Sequence, residues 1–429
     1  MKYFLRFSFF ILVFTFSLNI KAKEEVKIGV STFLSGGAAS SFGIPLKQGL
    51  EFMFKSINEG TIPAPYNTPG IAGKKVSSFF IDESGGATKQ VAEFRNMVQR
   101  QKVDIVMGYI SSGDCLAIPS VAEELKQLTI LIDCGTPRVF EEESYKYVFR
   151  TGPHAAMDNI AGALYLKRKG ITPKRVAAIN QNYAWGHDNW ADFKSSIDII
   201  FNKPEIVSKQ FPKMFSGQYG TEISAILVSK PDLIHSSLWG GDLESFIIQS
   251  NARGLFRNST VFLSAADHAL PSVGKNIPDG VIIGARGPHG DLSPNSKLAN
   301  WFKEKMKEEY GIKITTQPMH KGAMAALFIK KAYDDAYLKL NRFPTTEEVI
   351  EFMEGLKWDT PSGMAEMALG KGHQAIQDQA IGRSKWNKKE KRVEIVDIEY
   401  FKARCVNPPD GIKSLDWIKG GFKGADCKQ

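Results

Sequence analysis

Short apolar runs along the chain alternate with segments in which apolar residues recur every three or four positions. The runs predict buried strands, and the three- and four-residue spacing predicts amphipathic helices. A first strand begins at Val26 and leads into a glycine- and serine-rich loop. Further strands are predicted at residues 76–81, 103–109, 129–132, 176–179, 233–236, 260–263 and 281–284, with helices at 88–101, 116–126, 154–169, 188–201, 220–227 and 243–252. This alternation predicts βαβ units, and therefore parallel sheets with right-handed crossovers.

The alternation restarts after residues 149–153, where a new helix begins as if a second sheet had been opened. Three long helices are predicted later in the chain, followed by three more strands; the helices cover residues 296–310, 320–340 and 345–355, and the strands cover 364–369, 375–381 and 393–401. Two α/β lobes joined by several crossings explain this order more simply than one very long sheet. We assign residues 23–150 and 280–360 to lobe I, 151–279 and 361–404 to lobe II, and 405–429 to a C-terminal tail. A cleft between the lobes follows from this division.

The N-terminus has the pattern of a secretion signal. Lys2 and Arg6 precede an apolar stretch over residues 7–18, and Ala22 offers a small residue at the cut. The stretch is shorter than the roughly 20 residues that a membrane-spanning helix needs. We therefore expect residues 1–22 to be a cleaved signal peptide and the mature protein to be soluble in the periplasm.

The four cysteines are even in number, which in an oxidising compartment suggests disulfides. Cys405 and Cys427 bracket a tail rich in proline, glycine and lysine, and we expect them to be bridged. Cys115 and Cys134 each follow a predicted parallel strand, so they can meet at one sheet edge, and their pairing stays open.

Composition narrows the function classes. The chain has 429 residues with 43% hydrophobic and 24% charged, the balance of an ordinary globular protein with room for two full cores. The net charge of +9 falls to +6 without the signal peptide. The one dense basic cluster, at residues 385–392, lies between two predicted strands and has no interleaved aromatic platform, so we interpret it as a solvated hairpin tip rather than a nucleic-acid site. No nucleophile elbow or metal-binding spacing is present, and we expect no enzyme activity, cofactor or metal.

Hydroxyl-bearing residues follow two of the predicted strands. Ser111 and Ser112 open the helix after the strand that ends near Tyr109, and Thr136 follows the next strand. Serine hydroxyls and the free N–H groups of a helix start can bind a carboxylate. The alternatives are helix capping by the serines and an ordinary turn at Thr136.

Three aromatic residues, Phe42, Trp185 and Trp239, lie in loops that follow strands rather than on apolar helix faces. An aromatic ring exposed in a cleft can stack on a ligand and exclude water. The alternative for each is packing in the core. Tryptophan at two of the positions indicates a flatter pocket than one built for small aliphatic side chains.

Several motifs, taken in order, resemble the type I periplasmic solute-binding proteins, in particular the branch of leucine/isoleucine/valine-binding proteins of ABC importers. The motifs are residues 28–30, 34–36 with 42–43, Asp82 with 87–91, Gly-Tyr-Ile-Ser-Ser at 108–112, Cys-Gly-Thr-Pro at 134–137, Phe-Arg-Thr at 149–151 and Tyr-Ala-Trp-Gly at 183–186. The resemblance runs from Val26 to about Phe401 and leaves out the tail. It implies an α/β protein with two Rossmann-like lobes, parallel sheets, three hinge crossings and a ligand held between closing lobes.

The resemblance also implies roles for individual residues. Positions matching Cys134 and Thr136 touch the ligand's charged groups, and the position matching Trp185 closes over the ligand. Amino-acid binders of the branch place a carboxylate near Asp267 to hold the α-ammonium; helix capping is the alternative there, and Asp133 and Asp242 are in reserve. Arg286 is expected in a surface ion pair rather than on the ligand.

The function expected from this resemblance is capture of a small polar ligand, an amino acid or a related carboxylate or amide, for an ABC permease in the inner membrane. The protein is expected to be a monomer that does not bind nucleic acid. The alternative is a periplasmic sensor that presents its closed state to a membrane receptor. A secreted hydrolase is a weaker third hypothesis.

Overall fold

The apolar runs form strands of two separate sheets in the computed structural model, which describes residues 24–427. The predicted signal peptide, residues 1–22, lies outside this range. The described residues contain the strands β1 (Glu25–Thr32), β2 (Lys75–Asp82), β3 (Ile105–Gly108), β4 (Thr129–Leu131), β5 (Val148–Arg150), β6 (Arg175–Ile179), β7 (Glu205–Gln210), β8 (Leu233–Ser236), β9 (Thr260–Leu263), β10 (Ile282–Gly284), β11 (Lys357–Thr360), β12 (Gly363–Leu369), β13 (Gln374–Gln377), β14 (Gln379–Asn387) and β15 (Arg392–Phe401).

Helices cover both faces of the sheets. They are α1 (Ile44–Glu59), α2 (Ala87–Gln99), α3 (Ser112–Leu125), α4 (Arg138–Glu141), α5 (Ala155–Arg168), α6 (Ala184–Ile200), α7 (Gly220–Ser229), α8 (Gly241–Ala252), α9 (Leu270–Val273), α10 (Lys297–Tyr310), α11 (Gln317–Leu340), α12 (Thr346–Met353), α13 (Ala403–Val406) and α14 (Ser414–Lys419). None of those in the described residues combines the length and the apolar character needed to cross a membrane.

The first sheet has the order β11-β12-β13-β5-β4-β3-β1-β2, and the second has the order β15-β14-β10-β9-β8-β6-β7. Strands β1 to β5 pair in parallel in the first sheet, and β6 to β10 pair in parallel in the second. Strands from the C-terminal part of the chain extend each sheet. In the first sheet β13 joins β5 in parallel and is followed by the antiparallel β12 and β11, and in the second sheet β14 and β15 are added antiparallel to β10. The expected α/β class with two parallel-dominated lobes is thus confirmed.

Each sheet has its own core. In lobe I, Ile28 and Val30 of β1 pack with Leu46 and Leu50 of α1 and with α11, and all four side chains are fully buried. In lobe II, residues of β6, β8 and β9 form a core with α7 and α8, and α5 packs on α6 across the other face. The long apolar helix α11 is therefore a lobe I element, although it follows β10 of lobe II.

The chain passes between the lobes after β5, after β10 and between β13 and β14, at three crossings. Two of the expected lobe boundaries need correction. Strands β12 and β13 lie in the first sheet, because Gln374 of β13 pairs with Arg150 of β5, whereas residues from 361 onward were expected in lobe II. Strand β10 lies in the second sheet, whereas residues from 280 onward were expected in lobe I. The strand predicted over residues 375–381 is two strands, and Asp378 lies at the crossing between their sheets.

The C-terminal tail is tied to both lobes. The Cys405–Cys427 bridge closes it, and Cys115–Cys134 forms a second bridge inside lobe I. Helix α14 packs on α6 of lobe II, while the Ser414 backbone N–H donates to Glu141 of lobe I at 2.9 Å. The basic cluster at residues 385–392 lies at the tip of the β14–β15 hairpin, as expected.

Candidate functional site

The carboxyl ends of the parallel strands of the two lobes face each other, which is where ligands of open α/β sheets bind. The lobes touch at this edge. The N–H of Gly241, at the start of α8, donates to the carbonyl of Gly37 in the loop after β1 at 2.7 Å. A Cβ on Gly241 would lie 2.8 Å from that carbonyl oxygen, so glycine permits the close approach. The structure therefore shows the lobes closed on each other.

A narrow space lies between the closed lobes, and we call it the aromatic slot. It has a volume of about 10 Å³. Its lining residues come from both lobes and are Phe42, Ile110, Asp133, Gly135, Tyr183, Trp185, Trp239, Ala265 and Arg286. Phe42, Trp185 and Trp239, which the sequence predicted to be ligand-binding, are thus brought together at one place. The Tyr183 ring was missed, although it opens the same motif as Trp185.

Trp185 lies in the first turn of α6 and reaches across to lobe I. Its indole N–H donates to the Ser237 carbonyl at 2.8 Å, which fixes the ring plane. The ring lies directly against Gly135, where an added Cβ would be 2.0 Å from a ring carbon. The guanidinium carbon of Arg286 lies 4.5 Å from the ring centroid on the inner side. Only glycine at position 135 allows the indole to close on the lobe I backbone.

Trp239 anchors a second group of rings across the lobe interface. Its indole N–H donates to the Tyr183 hydroxyl at 2.8 Å. Phe33 and Phe42 of lobe I lie 5.8 and 5.3 Å from its ring, and Phe215 of lobe II lies 5.7 Å away. These spacings are those of favourable edge and tilted ring contacts. The contacts of Trp239 with Phe33 and Phe42 cross the interface, so they form only when the lobes are closed.

Arg286 forms the inner, hinge-side end of the slot. It makes an ion pair, as expected, but the pair is buried and not at the surface: the guanidinium is 2.6 Å from Asp133 and 3.2 Å from Asp158. It also donates to the Pro153 carbonyl, at the first crossing, at 2.6 Å. Burial raises the pKa of Asp158 to about 6 in spite of the guanidinium. Arg286 therefore ties two crossings and the end of β4 together.

The two serines are engaged within lobe I. Ser111 caps α3, since its hydroxyl accepts from the Asp114 backbone N–H at 3.5 Å, which is the capping alternative. The Ser112 hydroxyl accepts from the N–H groups of Gly135 and Thr136, both at 3.2 Å. These bonds join the loops after β3 and β4 into one rigid rim beside the slot.

The N–H groups of Ile110 and Ser111 are also occupied, by a residue that the sequence analysis missed. Both donate to one carboxylate oxygen of Glu83, at 2.7 Å each. Glu83 directly follows β2, and its side chain is fully buried. Glu83 comes directly after Asp82 at the end of a predicted strand, and this position is the sequence signal that could have identified it.

The remaining predicted residues lie beside the slot rather than in it. The sulfur of Cys134 is bonded to Cys115, and its carbonyl accepts from Arg150 at 3.1 Å. Thr136 is buried next to it, and its hydroxyl is hydrogen-bonded to Asp188 of α6 in lobe II. Neither residue lines the slot in this closed form, so their ligand contact stays a prediction.

Asp267 is poorly suited to hold an ammonium group. One carboxyl oxygen accepts from the Gln317 N–H at the start of α11, at 2.7 Å. Burial raises the pKa of Asp267 to about 8, so the carboxyl is mainly protonated at neutral pH. Of the reserve candidates, Asp133 lines the slot, whereas Asp242 accepts from the Phe215 N–H at 2.7 Å and holds that loop.

A larger cavity of about 540 Å³ lies elsewhere, between α4 and the C-terminal tail. Arg150, His154, Glu141 and Lys371 are among the residues that line it. It is lined mainly by lobe I and the tail rather than by the facing strand ends of the two lobes. The difference in volume does not identify the larger cavity as the main site, because the aromatic slot is small only as a result of closure of the lobes.

The family comparison covers most of the chain: the model of the periplasmic binding protein family matches residues 25–391. A curated relative from Brucella abortus, "Leu/Ile/Val-binding protein homolog 4", is 23% identical over 247 residues, which are 54% of this chain and 55% of the relative. The chain thus spans about half the length of the curated relatives it matches.

Solved structures share the fold over nearly the whole chain. A solute-binding protein of an ABC transporter from Rhodopseudomonas palustris BisB5, in complex with 3,4-dihydroxybenzoic acid, has a TM-score of 0.76 and 20% identity, covering 89% of this chain and 98% of its own. One from R. palustris in complex with benzoate has a TM-score of 0.76 and 18% identity, covering 91% and 99%. The leucine-binding protein LivK of Thermotoga maritima has a TM-score of 0.68 and 18% identity, covering 87% and 98%. The family match agrees with the two lobes, three crossings and slot of the structure, and the chain belongs to the periplasmic binding protein family.

Proposed function

We propose that this protein is the extracytoplasmic solute-binding component of an ABC import system, which captures a small polar ligand with a flat body between its lobes and delivers it to a membrane permease. The observation that carries the proposal is the aromatic slot, where Trp185 and Trp239 of lobe II meet Phe42 and Gly135 of lobe I. A flat ligand in this position contacts rings from both lobes, so it favours the closed form over the open one.

The slot suits a ring or a planar group better than a branched aliphatic side chain. Each ring-to-ring contact contributes about 0.5 to 1.5 kcal/mol beyond the apolar area that it buries. The related R. palustris proteins bind benzoate and dihydroxybenzoic acid, which is consistent with a planar ligand here. The slot has a volume of about 10 Å³ in this structure, which is too small for such a ligand, so the closed form with ligand must hold its two walls farther apart than they lie here.

Closure would occur by rotation about the three crossings. Arg286 contacts Asp133 of lobe I and Asp158 of lobe II beside two of the crossings, so it lies at the pivot of this rotation. The closed shape, in which the Gly37–Gly241 contact and the bridging rings are formed, is the state that a permease would recognise. We expect the mature protein to act as a periplasmic monomer.

Ligand screening tests the proposal directly. Thermal-shift measurements with amino acids, aromatic acids, aromatic amines, amides and ureas should find compounds that raise the melting temperature, because a ligand that binds only the folded state stabilises it. Trp185→Ala should then weaken the binding of any hit at least about tenfold. Trp301→Phe, on the far side of lobe I against Phe52, is the matched control and should bind as the wild type does. Equal affinity in Trp185→Ala and the wild type would contradict the proposal.

A further inference from the structure

A second space between the lobes lies next to the aromatic slot, and we call it the acidic pocket. It has a volume of about 180 Å³. Lobe I contributes Phe33, Glu83 and Asp114, and lobe II contributes Met214 and Phe215. The rings of Phe33 and Phe215 are 6.1 Å apart, and both also contact Trp239 of the slot. The two spaces therefore share an aromatic wall, and one ligand can extend from one to the other.

The backbone donors beside the acidic pocket are not available to a ligand's carboxylate. The N–H groups of Ile110 and Ser111 both donate to one oxygen of Glu83, and those of Gly135 and Thr136 both donate to the Ser112 hydroxyl. A ligand anion would have to displace these internal partners and would then lie beside a buried carboxyl group. This differs from the sequence-based expectation that this rim binds the acidic end of the ligand.

The carboxyl pair of Glu83 and Asp114 is buried and incompletely satisfied. Glu83 is 0% exposed and Asp114 is 2% exposed. Within residues 24–427, no N–H or O–H group of the chain donates to the second carboxyl oxygen of Glu83. Its polar neighbour is the carboxyl of Asp114, which is itself an acceptor unless it is protonated. Two carboxyl groups in contact in a buried place hold one proton between them near neutral pH.

The other charged and titratable groups near the carboxyl pair do not neutralise it. Burial raises the pKa of Tyr109 and Tyr183, so both phenols are neutral. Lys89 of α2 directs its ammonium to the Ser84 carbonyl, and Asp82 is bound by the hydroxyls of Ser35 and Ser84. Among the described residues that line the acidic pocket, none is a lysine, arginine or histidine.

We propose that the acidic pocket binds a positively charged nitrogen of the ligand, such as a protonated amine or an amidinium group. Carboxyl groups attract a cation by charge, and the face of an aromatic ring attracts it through the ring quadrupole, so a pocket that contains both is suited to an organic cation. The inference rests on the proposed function: the flat body of the ligand occupies the aromatic slot, and its cationic group lies between Glu83, Asp114, Phe33 and Phe215. The ligand cation takes the place of the shared proton, which is released to solvent. The ligand class is therefore a small organic cation with a planar body.

The test uses four probes that share a benzene ring. Benzylamine and benzamidine carry a cation, benzoate carries an anion, and benzyl alcohol is neutral. Isothermal titration calorimetry of the full mature protein at neutral pH should give affinities for the two cations at least about tenfold above that for benzoate. The same titrations in two buffers of different ionisation enthalpy should report proton release for the cations and none for benzyl alcohol.

Two variants locate the effect. Asp114→Asn should weaken benzylamine binding at least about tenfold and reduce the proton release, because one of the two carboxyl groups that hold the cation is lost. Glu143→Gln removes the same charge from an exposed side chain and should change neither quantity. Circular dichroism of each variant checks that it is folded.

The possible failures are distinguishable. Tighter binding of benzoate than of benzylamine, or unchanged benzylamine affinity in Asp114→Asn, would overturn the cation subsite. If the cation subsite is overturned but benzoate binds to the wild type and not to Trp185→Ala, the proposed function, capture of a ligand in the aromatic slot, is still supported. If none of the four probes binds to the wild type, the cation subsite is overturned, and the wider thermal-shift panel then decides whether the proposed function fails with it.

Discussion

Replacing Gly135 by alanine should prevent closure of the lobes without unfolding either of them. The added Cβ would lie 2.0 Å from a ring carbon of Trp185, whereas carbon atoms in contact are about 3.5 to 4.0 Å apart. The indole must therefore retreat by roughly 1.5 Å. Gly135 does not have a positive φ, so alanine fits the local backbone.

The magnitude follows from what the displaced ring loses. Its hydrogen bond to Ser237 has a net worth of about 1 kcal/mol, and its contact with the Arg286 guanidinium contributes a similar amount. A loss of about 2 kcal/mol from the closed form alone lowers the closing equilibrium constant about 30-fold. Ligand affinity should fall by the same factor, because the ligand binds tightly only in the closed form.

Two assays separate closure from folding. Small-angle X-ray scattering with a saturating ligand should show a smaller decrease of the radius of gyration in Gly135→Ala than in the wild type, and urea unfolding should show nearly equal stability. Gly113→Ala is the matched control, because a Cβ there would have an ordinary distance of 3.5 Å from the Ser111 hydroxyl. Wild-type affinity and full compaction in Gly135→Ala would refute the closing role of the Trp185 contact.

Three further predictions concern stability. Arg286→Met leaves two buried carboxyl groups without the guanidinium that contacts them, so the free energy of unfolding should fall by about 3 to 5 kcal/mol in urea denaturation; a loss below 1 kcal/mol would contradict the buried network. Replacing both Cys405 and Cys427 by serine should lower stability by about 3 kcal/mol in calorimetry, since the bridge closes a loop with a sequence separation of 22, and an unchanged melting temperature would contradict this. The pKa of Asp114 is raised to about 6 by burial, so the folded state retains a proton that the unfolded state has lost, and this residue's contribution to stability decreases as the pH rises from about 4 to about 6. The slope of unfolding free energy against pH in this window should therefore be less negative in Asp114→Asn than in the wild type, and equal slopes would contradict it.

The strands and helices could be predicted from the sequence because their apolar spacing is a local signal. Strand β8 at residues 233–236 and β9 at 260–263 have the predicted bounds, and the restart after residue 150 marks the first crossing. Strand β7 was missed because most of its residues are half-exposed and it lies at a sheet edge. The prediction placed β12 and β13 in the wrong lobe for another reason. The sheet that a strand joins is decided by residues hundreds of positions away, as in the pairing of Gln374 with Arg150.

The site was only partly predictable for a related reason. A loop after a strand identifies Phe42, Trp185 and Trp239 as candidates, because the carboxyl ends of parallel strands meet at one edge. Buried charge gives no such local signal. Arg286 was expected at the surface and Glu83 was missed, because their partners, Asp133 in one case and the Ser111 N–H in the other, come close only in the folded chain.

A crystal structure of the protein with a ligand found by thermal shift would show directly whether the ligand is held between the lobes. We expect closed lobes and ligand density between Trp185 and Trp239, in contact with Phe42. Density only in the larger cavity beside Arg150 and the C-terminal tail, with the slot unchanged, would contradict it.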